Sequence, residues 1–93
     1  MIKIISKNTL KQGQSSKFIK LAEELIEKTR NEDGCISYHL LQDINNPLIL
    51  TFVEDWRDEK AIENHNNSEH FKRIVPQFAE LRESKSLNIY KEL

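Results

Sequence analysis

Two histidines and one carboxylate carry most of the chemistry this sequence can offer. His65 and His70 stand five apart, with Glu69 between them. Five residues of unbroken helix turn the chain through roughly 140°, so the two imidazoles would not share an ion there. The Asn66-Asn67 pair interrupts that spacing and could bring them together. His65 with Glu69, at i,i+4, is the better-spaced pair, but two ligands fall short of a metal signature. No metal site is therefore expected. Glu54 alternates with Phe52 and Trp56, which on a strand aims its carboxylate at an apolar side. A buried carboxylate finds a partner or its pKa rises. Arg57, Arg73, Arg82 or a residue of a second copy are the candidate partners, and that structural pairing is favoured over a catalytic role. Tyr38 and Trp56 fit either a core, with O–H and N–H satisfied locally, or the wall of a flat pocket. Cys35 reads as a small buried hydrophobe.

Several chemistries lack support. Two glycines in the whole chain leave no loop of the kind that cradles phosphates, and no serine lies between glycines as in a nucleophile elbow. Nucleotide and flavin cofactors are not expected. Fourteen basic and fifteen acidic residues give a net charge of −1, without the clustered basic patch that nucleic acid or an anionic membrane favours. A single cysteine makes no internal disulfide and fits a reducing compartment. The N-terminus lacks a basic stretch followed by a long apolar run, and no segment approaches the roughly 20 apolar residues of a membrane span. A cytoplasmic protein is expected. Asn66-Asn67-Ser68 matches a glycosylation sequon by chance on that reading.

The elements that must position these residues follow from periodicity. Ile2, Ile4 and Ile5 mark a strand over 2–8, and Gly13 a turn. Ser15 or Ser16 is the expected N-cap of a helix over 16–31, whose inner face is Phe18, Ala22, Leu25, Ile26 and Thr29. Gly34 ends it. A strand runs from Cys35 to Gln42, with Ile36, Tyr38 and Leu40 expected on one side. Asp43 to Pro47 forms a turn, and Leu48 to Trp56 a second strand, making a hairpin. Both faces of the hairpin carry apolar residues, so both should be covered. Asp58 caps a short helix and Ser68 a second, with Phe71, Ile74, Val75, Phe78 and Leu81 inward and Pro76 expected to kink it. Ser86 to Lys91 is the last strand, with Leu87, Ile89 and Tyr90 directed inward or across an interface. The order β-α-β-β-α-β makes one α+β domain over 1–93, ferredoxin-like, with helices on one face of an antiparallel sheet. The other face calls for a second copy of the chain.

The stretch Gly34-Cys35-x-x-Tyr38-x-Leu40-x-x-Asp43, then Asn46-Pro47, Glu54-x-Trp56 and Ala61-x3-His65-x2-Ser68-x-His70-Phe71 closely resembles the antibiotic-biosynthesis monooxygenase domain. The short bacterial members assigned as quinol monooxygenases are the most similar, and the chain is also similar to the enzyme that processes the phosphorylated autoinducer-2 signal. The resemblance implies a homodimer whose two sheets form an α+β barrel, with a pocket in each subunit between sheet and helices. It also implies oxidation of a quinol-like or aromatic small molecule with O₂, without metal or flavin. A deprotonated phenol can itself pass an electron to O₂, so the protein need only bind, deprotonate and exclude water. His65 then becomes the catalytic base or hydrogen-bond partner. Tyr38, Phe52, Trp56, His70 and Phe71 would contact substrate, and Glu54 would orient a partner or hold the fold. Haem-degrading relatives place an iron-binding histidine where this chain has Val75 and an asparagine near Ser6. Asn8 is close but out of register, so haem chemistry is disfavoured. Two alternatives stand beside the monooxygenase: a non-oxidative isomerase or lyase acting on a small carbonyl compound, and a binding module without catalysis.

Overall fold

The computed structural model covers residues 1–93. Its elements are β1 (Ile2–Leu10), α1 (Ser15–Thr29), β2 (Cys35–Gln42), β3 (Ile49–Trp56), α2 (Glu59–Asn66), α3 (Glu69–Ile74), a 3₁₀ segment (Val75–Leu81) and β4 (Arg82–Lys91). The strands form one sheet in the order β2-β3-β1-β4, with every neighbouring pair antiparallel. This is the ferredoxin-like α+β arrangement. No helix is long and apolar enough to cross a membrane.

Every buried strand residue lies on the helix side of the sheet: Ile4, Ser6, Asn8 and Leu10 of β1, Tyr38 of β2, and Leu50, Phe52, Glu54 and Trp56 of β3. α1 presents Phe18, Ala22, Leu25 and Thr29 to that face, while Ile26 is half-buried. Phe18 stacks on Phe78 at 4.2 Å between ring centroids and meets Phe52 at 6.1 Å. Each such side chain contributes about 1.5–3 kcal/mol when fully buried.

Gly34 fixes where the α1–β2 loop meets α2. Its φ of +88° suits a residue without a side chain, and a Cβ there would come within 2.5 Å of the Ala61 Cβ. Its carbonyl accepts from the Arg57 amide at 2.9 Å, and the Arg57 guanidinium grips Asp33 at 3.1 and 3.2 Å. The loop is therefore pinned to the entrance of α2. Asp58 then caps α2 through the Ala61 amide, and Ser68 caps α3 through the Phe71 amide.

Several expectations need correction. α1 begins at Ser15, already inside the helix; its first turn is closed by the backbone carbonyl of Gln14 accepting from Phe18, with no side-chain cap. Pro76 does not kink a helix. It sits in the first turn of the 3₁₀ segment, where its missing amide leaves no gap. A register shift between Cys35 and Ser37 takes Ile36 out of line with Tyr38, leaving Ile36 56% exposed. β4 starts at Arg82, four residues earlier than Ser86. Leu87 and Ile89 pair opposite Ser6 and Ile4, on the helix side, but lie beyond the helices' cover and remain exposed.

Candidate active site

Tyr38, Phe52, Glu54, His65 and Phe71 line one cavity of ≈ 90 Å³ between the sheet and the helices. Leu25, Val75 and Phe78 complete its apolar wall, Ser6 and Asn8 its floor on β1, and Arg82, Lys85 and Leu87 its side on β4. Asn66, Lys85 and Leu87 are the exposed members, so the cavity opens between the α2–α3 turn and β4. A larger depression between α1 and β2 has exposed residues such as Glu23, Glu27 and Leu41 among its lining and gathers no buried acid or base.

His65 lies in the last turn of α2, buried and surrounded by aromatic rings. Its ring centroid lies 4.7 Å from Trp56, 5.0 Å from Phe71 and 5.6 Å from Tyr38. Nδ1 meets Glu32 Oε2 at 2.8 Å, and the same oxygen takes His70 Nε2 at 2.6 Å. With Glu32 accepting, His65 carries its proton on Nδ1 and leaves Nε2, which has no partner in the chain, as a lone-pair base. Burial lowers the His65 pKa, against the opposing pull of Glu32, so the ring is neutral at pH 7.

Glu54 is 6% exposed. Its Oε1 accepts from Trp56 Nε1 at 3.0 Å. Burial is the main cause that raises its pKa to about 7; the Trp56 bond opposes this, Glu32 adds to it, and Lys85 draws it back. None of the expected arginines pairs with it. Arg57 holds Asp33 and Asp58, Arg73 holds Glu24 and Glu69, and Arg82 holds Asn8. The reason is local: an indole two residues along the same strand face reaches the carboxylate before any longer side chain does. The Tyr38 hydroxyl has no hydrogen-bond partner in the chain, and burial with nearby Glu54 raises its pKa. Cys35 is half-buried rather than buried, and desolvation raises its thiol to about 11.

Trp56 and His70 are not on the cavity wall. Trp56 is fully buried behind Glu54, and His70 is turned to Glu32. Glu69 pairs with Arg73, not His65. The Asn66-Asn67 break does bring both histidines to one point, but the third member is Glu32, from the loop between α1 and β2. The three ligating atoms lie within 4.8 Å of one another, a donor set of the His₂-carboxylate kind that suits zinc or iron(II). In its present state the cluster is closed by hydrogen bonds. Asn8 shares the face of Ser6 and lines the cavity, contrary to the expected loss of register, while Val75 offers no ligand to a haem iron.

The profile of the family described as antibiotic biosynthesis monooxygenase matches residues 1–77, and the chain belongs to that family. It is 39% identical to a conserved protein of solved structure from Methanosarcina mazei Go1, with a TM-score of 0.96 over 99% of this chain and 92% of that one. A solved antibiotic biosynthesis monooxygenase is 31% identical, with a TM-score of 0.93 over 100% of this chain and 99% of the other. Protein sll1783 of Synechocystis sp., itself uncharacterized, is 31% identical over 83 residues; they are 88% of this chain but only 56% of that relative's length.

Proposed function

We propose that the chain is a cofactor-independent monooxygenase that oxidises a small quinol-like or aromatic compound with O₂. The observation that carries this reading is the pairing of two proton acceptors on one aromatic cavity: His65 Nε2, neutral and unpartnered, and Glu54, with a pKa of about 7. A base matched to neutral pH can take the proton of a bound phenol, and the phenolate is electron-rich enough to reduce O₂ without help. The balance closes on the substrate alone. A ring C–H carbon, which is CH₂ in the keto tautomer of the phenol, becomes C=O, one oxygen atom enters the product, the other leaves as water, and the substrate supplies all four electrons. In this reading His65 removes the first proton, Glu32 holds its tautomer, and Glu54 carries the proton that oxygen needs as it is reduced. The aromatic walls keep the ring flat and the site dry.

The same two acceptors would serve proton transfer beside a carbonyl without O₂, the isomerase alternative, and oxygen consumption separates the two. With a panel of reduced quinones and hydroxylated aromatics, the chain should consume O₂ in step with product. His65→Ala should lower the rate by roughly 10²–10⁴-fold. An electrode trace flat for every compound, or unchanged in the variant, sinks the assignment. The reading also includes a homodimer. On β4, Leu87 and Ile89 stand 46% and 59% exposed at the helix-side edge, and Tyr90 stands 50% exposed on the opposite sheet face, which no element of the chain covers. Apolar surface of this kind favours a second copy.

A further inference from the structure

We propose that the β4 side of the cavity is an anion-binding subsite, formed by Arg82 and Lys85, and that the substrate is a one-ring compound bearing a carboxylate or phosphate group. This rests on the reading of the cavity as the substrate site, and it adds what that site selects.

A bulge creates the subsite. On a regular antiparallel ladder, residues two apart share a face. Here Lys85 pairs with Asn8 and Arg82 with Leu10, so three steps on β4 answer two on β1, with the shift falling between Thr9 and Leu10. The extra residue is Glu83. Without the bulge Glu83 would stand opposite Leu10 and bring a carboxylate to the helix side. With it, a guanidinium takes that place. Bulges that re-aim one side chain are a recurring device beside active sites.

Asn8 then fixes Arg82. The Asn8 side chain is 1% exposed, and its Nδ2 donates to the carbonyls of Ser6 and Leu50, both at 3.3 Å. The amide cannot flip without losing both bonds, so Oδ1 is presented to Arg82 Nη1 at 3.1 Å. A guanidinium has five N–H donors, and this bond is the one that Arg82 makes. The other four have no partner in the chain.

The charge on this wall has no ion-pair partner in the chain. Arg82 and Lys85 are the two cations that line the cavity, and neither lies within 4.0 Å of a carboxylate oxygen, whereas Arg57 and Arg73 each do. The acid nearest in effect is Glu54, which burial keeps partly protonated near neutrality. Burial lowers the pKa of both cations, and at Lys85 the neighbouring Arg82 charge lowers it further while Glu54 opposes. An anion arriving with the substrate would supply the ion-pair partner. The size of the cavity sets the rest of the ligand. An engineered cavity of about 150 Å³ holds benzene. At ≈ 90 Å³ this one encloses the reacting edge of a single ring, and the far edge projects toward the rim where Lys85 stands.

The test compares two compounds that differ by one carboxylate, 2,5-dihydroxybenzoate and hydroquinone, titrated calorimetrically into the full chain without O₂. The benzoate should bind at least about tenfold more tightly, a preference that shrinks at high salt. Lys85→Gln, at an exposed position, and Arg82→Gln should each reduce the preference several-fold. Arg82→Lys should restore part of it, and inorganic phosphate should compete. Equal binding of the two compounds, a preference that survives in the double variant, or no benzoate binding at roughly 10 mM overturns the subsite. A carboxylate from a second copy filling the same wall would appear as the first of these. Selective binding with no O₂ consumption in air would leave the subsite standing and remove the monooxygenase. O₂ consumption with equal rates and affinities for both compounds would do the reverse.

Discussion

Glu54 and Asp55 are neighbours on β3, and the two faces of the sheet give them opposite fates. Glu54 stands across from Ile4 on β1 and Tyr38 on β2; Asp55 stands across from Lys3 and Ser37. The inward acid meets hydrocarbon, an aromatic ring and one indole N–H, and its pKa climbs to about 7. The outward acid takes Lys3 Nζ at 2.9 Å on one oxygen, in ion-pair rather than hydrogen-bond alignment, and the Ser37 hydroxyl at 2.8 Å on the other. Lys3 chiefly, then Ser37, lowers its pKa. One residue of register thus separates a carboxylate that can trade a proton at neutral pH from one that stays ionised and ties three strands together. Chemistry sits where cross-strand partners are withheld.

Glu54→Gln breaks the comparison at its strongest point. The native chain holds a proton on Glu54 up to about pH 7, while the unfolded chain releases it near 4.5. Between those values the native state binds more protons, so stability falls as pH rises, then levels off above 7. The isosteric amide keeps the bond from Trp56 and removes this slope. By pH 8 the variant should therefore have gained about 3 kcal/mol relative to its difference from wild type at pH 4.5. Urea melts of both proteins across that range read the difference directly. A gap that does not change with pH would mean that Glu54 titrates as an ordinary surface acid.

Trp56→Phe sharpens the same contrast by removing the donor and keeping a ring. Glu54 loses its one hydrogen bond, which matters most once it is ionised. The pH-dependent loss should be about 1–3 kcal/mol at pH 8 and smaller at pH 5, above a constant contribution from the volume removed. The pKa of Glu54 should rise further. Equal losses at both pH values would show that the indole supports packing alone.

The inward course of Glu54 was legible because Phe52 and Trp56 flank it at a period of two, and the fold followed from apolar spacing in each element. Its partner was not legible. An arginine is the usual expectation for a buried acid, and nothing in the alternation says that an indole two residues on lies closer. Glu32 escaped for a different reason. It meets His65 across 33 residues of chain, through a loop whose seating depends on Gly34 fitting against Ala61. Tertiary contact of that kind leaves no local period. Arg82 and Lys85 escaped because Arg-Glu-Ser-Lys-Ser lacks the apolar alternation that marks a strand, so β4 was expected to start at Ser86. The bulge that reverses Arg82 and Glu83 is a property of the pairing, not of either strand alone.

Asp55→Asn is the smallest expected change and the one that tests what lies over the outer face. With that face open to water, the pair with Lys3 is a surface ion pair, and the variant keeps the Ser37 bond. It should lose about 0.2–1 kcal/mol at pH 7, less in high salt. Since the Asp55 pKa is lowered in the folded chain, its contribution is present above the unfolded value of 3.8. It fades as pH falls through the lower folded one, and the deficit should fade with it. A second copy packed on this face would take the pair out of water, and removing one partner would then be worth roughly 3–5 kcal/mol. That larger deficit would also depend on protein concentration, because folding and association would be linked. Denaturation of both proteins at two concentrations a hundredfold apart, a span on the order of 3 kcal/mol in linked free energy, therefore decides whether Asp55 belongs to a surface or to an interface.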